Sequence, residues 1–391
     1  MDLRPLRQKD FRLVWLSGAV TMLGTVFTMT AVPLQIAAIT GSPLAVGAVG
    51  VVELLPSIAF GLYGGVLADR FDRRTIALVT EVALAAVVAL LLLNPTSLVF
   101  LFGSAAAAAA LQGVQQPALE AMIPRLVPRD QLVAAGGLLG LRWGVGGIFA
   151  PAAAGIVIIT AGVTTAFAFD LVTFAVSVAL LARVRAVRAA PDAEWPRFVD
   201  GARYVASRPD LIGTYLVDLA ATVLALPTAL FPFLAADRPW AVGFLYSASA
   251  LGVLVAATTG GWTSRVTRHG RWVLVAAALV GVAMIGVAVS RDIWFVVAFL
   301  ALAGAANWLG DTFRGAIWNG TIPDELRGRL AGVEMLVGSV GPALGDLRAG
   351  AMAARFGIRK TVAIGGVACL SSAGVLTAAL PSLWRYEDQL Q

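Results

Sequence analysis

Cysteine, histidine and lysine are almost missing from this chain of 391 residues. Cys369, His269 and the pair Lys9 and Lys360 are all it has. A single cysteine excludes an internal disulfide, and one cysteine with one histidine leaves no ligand cluster for a zinc-type site. The lysine shortage stands against 27 arginines and points to a GC-rich coding genome rather than to mechanism. No Gly-x-x-x-x-Gly-Lys-Ser/Thr loop occurs, so coupling to ATP would need another subunit. Charge is scarce as well. Only 13% of the residues are charged, where a soluble chain carries about 25 %.

Apolar residues fill the gap, at 59% of the chain, with a strongly positive mean hydropathy. No soluble fold needs that much apolar surface, so the class is an all-α polytopic membrane protein. Met1–Asp10 leads straight into a span of full membrane length, without the short apolar region and small-residue cleavage site of a signal peptide. The net charge of +6 punctuates the spans and forms no patch, which favours anionic membrane lipid over nucleic acid as a partner.

A span needs about 20 residues to cross the hydrocarbon layer. Twelve are expected, at 11–38, 44–68, 75–94, 98–121, 132–160, 163–182, 209–235, 241–264, 272–289, 293–317, 329–353 and 360–380. With both termini placed in the cytoplasm, 21 of the 29 basic residues fall on the cytoplasmic side and five in outer loops, as the positive-inside rule asks. The chain also repeats. Ile123-Pro124 returns as Ile322-Pro323, and Gly64-Gly65 before a basic turn returns as Gly260-Gly261 before Arg265, Arg268 and Arg271. Both offsets are about half the chain. Two pseudo-symmetric six-helix bundles follow, 1–184 and 209–391. A cytoplasmic linker, 185–208, joins them, with a short amphipathic helix around Phe198, Ala202, Tyr204 and Val205.

Charges inside spans are costly and need a partner, water or a function. Glu53 and Asp218 each lie nine residues into a span, near the midplane, where a carboxylate can take up and release protons or meet a substrate amine. The alternative for each is a packing hydrogen bond. In the fifth span Gly136, Gly140, Gly144, Gly147, Pro151 and Gly155 form one small-residue stripe suited to close helix packing. Arg142 sits about 200° around from Gly140 and Gly144, and is expected in the cavity as a forked donor to substrate oxygens, or else in a buried ion pair. In the tenth span Asn307, Asp311 and Arg314 share a face near Trp308. They line a cavity with an aromatic wall, or Asp311 and Arg314 satisfy each other. Gly341 and Pro342 echo the fifth-span stripe, flanked by Glu334, Asp346 and Arg348 as gate or packing charges. Asp170 is assigned to structural hydrogen bonding, and Glu81 and Glu120 to pairing with Arg70, Arg73 or Arg125 near the cytoplasmic face.

One segment carries more information than the rest, Gly64–Arg74 between the second and third spans. Gly65, Asp69, Arg70, Asp72, Arg73 and Arg74 can form a charge clasp that makes and breaks as helices move. The pattern Gly65-x-x-x-Asp69-Arg70-x-x-Arg73-Arg74 resembles the signature loop of the major facilitator superfamily. Gly144-x-Gly146-Gly147-x-x-Ala150-Pro151 looks like a degenerate antiporter motif of its exporters. Ala109 stands where drug/proton antiporters carry an arginine ahead of Gln112-Gly113. Ala31–Ile36, Asp72, Arg142, Gly243–Tyr246 and Gly328-Arg329 are similar to bacterial siderophore exporters.

The resemblance implies a proton-coupled exporter of the bacterial cytoplasmic membrane, working by alternating access. Its cargo would be a siderophore or a similar bulky, aromatic, partly anionic product. A multidrug or macrolide exporter is the alternative, with an integral-membrane enzyme or a sensor behind it. Glu53 and Asp218 are the expected proton sites, Arg142, Asn307, Trp308, Asp311 and Arg314 the substrate site, and the Gly64–Arg74 loop the latch. No catalytic residue, cofactor or metal is expected, and the protein is expected to be a monomer.

Overall fold

The computed structural model describes residues 2–186, 203–322 and 324–387, with side chains at all of these positions except 62, 66, 69, 210, 324–333 and 335. No strand occurs among the described residues. The long helices are α1 (Lys9–Thr40), α2 (Pro43–Arg70), α3 (Arg73–Leu93), α4 (Leu98–Leu126), α5 (Leu132–Ala161) and α6 (Val163–Leu181). They continue as α7 (Pro209–Ala220), α8 (Val242–Thr259), α9 (His269–Val289), α10 (Ile293–Thr321), α11 (Asp324–Phe356) and α12 (Ile358–Ala379). Among the described residues, 11 segments are long and apolar enough to cross a membrane. The twelfth is α11, whose 33 residues carry Glu334, Asp346 and Arg348 and so dilute its hydropathy.

Turn chemistry explains the breaks between helices. Gly41 closes α1 with a left-handed φ of 60°, and Pro43 opens α2 at once. Asp72 starts α3 by accepting from the Thr75 backbone N–H at 2.8 Å and its hydroxyl at 3.0 Å.

The chain forms two compact units, one of residues 1–41 and 51–194, the other of 42–50 and 195–391. In the first, α1 packs on α5 and α6, and α3 on α4 and α6; in the second, α9 packs on α10 and α12, and α8 on α10. Glycine lets backbones meet at matching places. A Cβ at Gly64 would lie 2.6 Å from the Gly113 carbonyl in the α2–α4 crossing. Cβ atoms at Gly252 and Gly304 would collide with Ala301 and Ser249 in the α8–α10 crossing. The internal repeat is therefore a repeat of packing as well as of sequence.

Two findings depart from expectation. The first turns of α2 belong with the second unit, because Gly47, Gly50 and Gly350 carry no side chain to hold Pro43–Gly50 off Ala343–Gly350 of α11. The expected continuous span 209–235 is broken. After Ala220 the helix widens into a π turn, Ala221–Ala225, leaves helical geometry at Leu226 and Pro227, and resumes as a short turn at Phe231–Leu234. Pro227 removes a donor and disfavours helical geometry at the residue before it. Of the expected linker helix, Phe198 and Ala202 lie outside the described residues. The Tyr204 hydroxyl donates to the Thr321 carbonyl at 2.9 Å.

Candidate functional site

The second unit gathers its intramembrane charges around one arginine. Arg314 of α10 reaches Asp218 of α7 through Nη1 and Asp311 through Nη2, the latter at 2.6 Å. The Arg314 and Asp218 side chains are 15% and 13% exposed, and that of Asp311 is 48% exposed. Asn307 donates to the other Asp311 oxygen at 3.2 Å. Glu334 of α11 lies close enough for its charge to act on Arg314 and Asp218. Two carboxylates thus hold one guanidinium, with the charge of exposed Glu334 acting on it as well.

Aromatic residues fix this arginine from below. Its guanidinium lies 5.5 Å from the Trp318 ring centroid, a cation–π contact. Trp318 is held in turn by Thr214, which accepts from its indole N–H at 2.9 Å, and by Tyr215 at a ring separation of 5.0 Å. A small cavity opens beside the ion pairs, lined by Asp218, Asn307, Asp311 and Arg314 and walled by alanines of α9. The four polar residues are brought together by helix period: i, i+4 and i+7 on α10, with Asp218 supplied from α7. Trp308 does not wall this cavity. Its ring packs on Gly260, where a Cβ would collide with it, so its aromatic surface belongs to the core.

Immediately beyond Asp218 comes the broken part of the seventh span, splinted by charges of α11. Arg348 donates from Nε to the Val223 carbonyl and from Nη2 to the Leu224 carbonyl, both at 2.8 Å. Asp346 accepts from the Thr228 hydroxyl at 2.7 Å and the Ala229 N–H at 2.9 Å. These are the groups a broken helix leaves unsatisfied. Gly345 and Gly365 make room for the widened backbone at 222–224, and Gly341 for the Thr222 side chain. The adjoining Pro342 lies within α11.

The first unit holds its acids differently. Glu81 is 2% exposed and accepts from the Thr21 hydroxyl and, at 2.5 Å, from the Gln115 amide. Its expected pairing with arginines near the cytoplasmic face is corrected, because residue 81 falls mid-helix and turns inward between α1 and α4. Asp170 is 1% exposed and accepts from Thr28 at 2.5 Å and Thr173 at 3.2 Å. Glu53 lies half-buried on α2 of this unit, whereas Asp218 belongs to the second.

Midway along α5 the tight contact lies on the Arg142 side and not at Gly140 and Gly144. Cβ atoms at Gly140 and Gly144 would meet nothing within 4 Å, so α5 is open at these two positions. The close contact falls on the opposite face, where Arg142 lies over Gly18 of α1 and Gly146 lies against Met22. Of the other four stripe positions, Gly136 is exposed, Gly147 half-buried, and Pro151 and Gly155 buried.

At the Gly65–Arg74 loop the arginines bind helix ends. Arg73 donates to the Ala68 carbonyl at 3.2 Å and the Ala121 carbonyl at 2.8 Å, and Arg74 to Leu181 at 3.2 Å and Ala182 at 2.6 Å. They tie the C-terminal ends of α2, α4 and α6, where cations are favoured. Asp72, expected in the latch, caps α3 instead. Arg70 is exposed, and the Asp69 side chain lies outside the described residues.

Known proteins share this architecture. Residues 1–389 match the family described as transmembrane secretion effector. The enterobactin exporter EntS of Escherichia coli O1:K1 is 27% identical over 97% of this chain and 93% of its own length. That of Citrobacter koseri is 28% identical with the same coverage. Among solved structures, a point mutant of the nucleoside transporter NupG superposes with a TM-score of 0.79 at 12% identity, covering 96% of this chain and 99% of its own. A POT family transporter in complex with 5-aminolevulinic acid gives 0.78 at 11%, covering 95% and 96%. At those identities the structures speak for the fold alone.

Proposed function

The chain belongs to the transmembrane secretion effector family of the major facilitator superfamily, and from that premise we propose that it is a proton-coupled exporter of the bacterial cytoplasmic membrane. Its termini are cytoplasmic and its cargo is a siderophore or a similar bulky, aromatic, partly anionic product. The observation that carries the coupling is Arg314 held between Asp218 and Asp311 beside a cavity. A proton on Asp218 removes one half of that bridge and leaves Arg314 to Asp311; loss of the proton restores it. Such an element has two charge arrangements, which is what a gradient needs to bias an alternating-access cycle. Glu53 serves as a second proton carrier on α2. The likeness to the enterobactin exporters supports this reading of the cargo, and Arg142 supplies a cationic contact for its oxygens.

A second reading draws on the same cluster. Two carboxylates on one arginine, with the charge of Glu334 acting nearby, leave a negative excess suited to an amine-bearing drug, including macrolides, competing with protons. One assay separates the two. Everted vesicles acidified inside are offered labelled enterobactin or a labelled macrolide, with and without a protonophore. The proposal predicts enterobactin uptake that the protonophore stops. Uptake of the macrolide alone selects the second reading, and uptake indifferent to the protonophore rejects coupling.

A further inference from the structure

Arg142 is a cation at membrane depth with nothing to hold. Among the described residues no carboxylate or carbonyl accepts from it, and its Nε is buried without an acceptor. Orphaned buried N–H groups are rare in native structures, because the group gives up water and gains nothing. Its guanidinium rests on α1 at Gly18, where a Cβ would collide with Nη1 and stand 3.0 Å from Cζ. The notch at Gly18 is therefore shaped for the end of this side chain.

The two helices cannot easily part to accommodate a larger residue there. One turn before, the Trp15 indole donates to the Leu138 carbonyl at 3.0 Å. One turn after, Met22 fills the place of the missing Gly146 side chain. Positions 15, 18 and 22 of α1 thus face 138, 142 and 146 of α5 in register, pinned on both sides of the arginine. A methyl added at Gly18 meets the flexible end of a side chain and not a backbone, so the arginine yields and the helices stay.

We propose that Gly18 is a positioning residue that sets selectivity for anionic groups by seating the Arg142 guanidinium, whose vacant donors take a substrate oxyanion. This deepens the reading of Arg142 as the substrate contact and rests on it. A guanidinium recognises a carboxylate or catecholate through a planar fork, so its orientation decides the discrimination between an anion and a neutral isostere. Gly18 touches no substrate itself; it acts through the fork.

The test uses the full-length protein in nanodiscs with two probes of one shape, benzoate and benzamide, read by tryptophan fluorescence. Wild type should bind benzoate in preference to benzamide. Gly18→Ala should reduce that preference about tenfold, leave benzamide affinity unchanged, and add nothing in an Arg142→Gln background, the non-additivity expected of residues acting as a unit. Arg142→Lys keeps the charge without the fork, so in that background Gly18→Ala should also change nothing. This second pair keeps the test sound if Gly18→Ala alone folds poorly. A preference that survives Gly18→Ala overturns the positioning role and leaves Arg142 as the substrate contact. A preference absent from wild type, or one that survives Arg142→Gln, overturns the reading of Arg142 and the inference with it.

Discussion

Both units bury carboxylates in the membrane, and Glu81 and Asp170 of the first are held in a different way from Asp218 and Asp311 of the second. In the first unit Glu81 and Asp170 are held by uncharged donors, Thr21 and Gln115 for one and Thr28 and Thr173 for the other. In the second, Asp218 and Asp311 share Arg314, while Asp346, at the break in the seventh span, is held like the acids of the first unit by uncharged donors, Thr228 and the Ala229 N–H. A carboxylate among hydroxyls and amides can change its charge without releasing a cation, because its partners are neutral. A carboxylate on an arginine cannot, since the pair weakens when the proton arrives. Under the proposed coupling, a proton on Asp218 also releases one hold on Arg314, whereas a proton on Glu81 or Asp170 releases no cation.

The largest effect is expected from breaking the arginine. Arg314→Gln strands Asp218 and Asp311, and removing one partner of a buried pair costs about 3–5 kcal/mol. Thermal unfolding in detergent should show that loss, and proton-driven transport should vanish with it. Asp218→Asn is gentler on the fold, because Arg314 keeps Asp311. It should preserve exchange of labelled cargo across equal pH while abolishing accumulation against a gradient. A variant that still accumulates cargo would erase the functional side of the comparison.

Arg348→Met tests the splint. It frees the Val223 and Leu224 carbonyls, each at a cost of about 1–3 kcal/mol if nothing replaces the donor. Faster hydrogen exchange confined to residues 221–230 is the expected signature. Uniform protection there would mean that the break is held by glycine packing alone.

The smallest effect belongs to the first unit. Glu81→Gln retains an acceptor for one donor, and the Thr21 hydroxyl can turn to accept from the new amide. Stability should change by less than about 1 kcal/mol, with coupling intact. Loss of coupling in this variant would move the proton site into the first unit.

Periodicity made much of this legible in the sequence. The apolar runs give the span order, and Asn307, Asp311 and Arg314 share a face because i, i+4 and i+7 must. What periodicity does not carry is which face meets which neighbour. The α5 glycines read as a packing stripe, yet close contact falls on the Arg142 side, where a single Gly18 on another helix makes the room. Asp218 and Arg314 are distant in the chain, and nothing local in either span names the other. Glu81 read as a cytoplasmic-end acid because arginines lie near it in sequence; its depth follows from where α3 begins, at the Asp72 cap. The break in the seventh span was in reach, since Leu226-Pro227 is a pattern that helices avoid.

The central claim is that coupling resides in the arginine-held acids and not in the hydroxyl-held ones. Reconstituted wild type, Asp218→Asn and Glu81→Gln should be compared for accumulation of labelled cargo under an imposed proton gradient, each normalised to its own exchange at equal pH. The account predicts that wild type and Glu81→Gln accumulate alike while Asp218→Asn only exchanges. Accumulation by Asp218→Asn at the wild-type level, or its loss in Glu81→Gln alone, would contradict it.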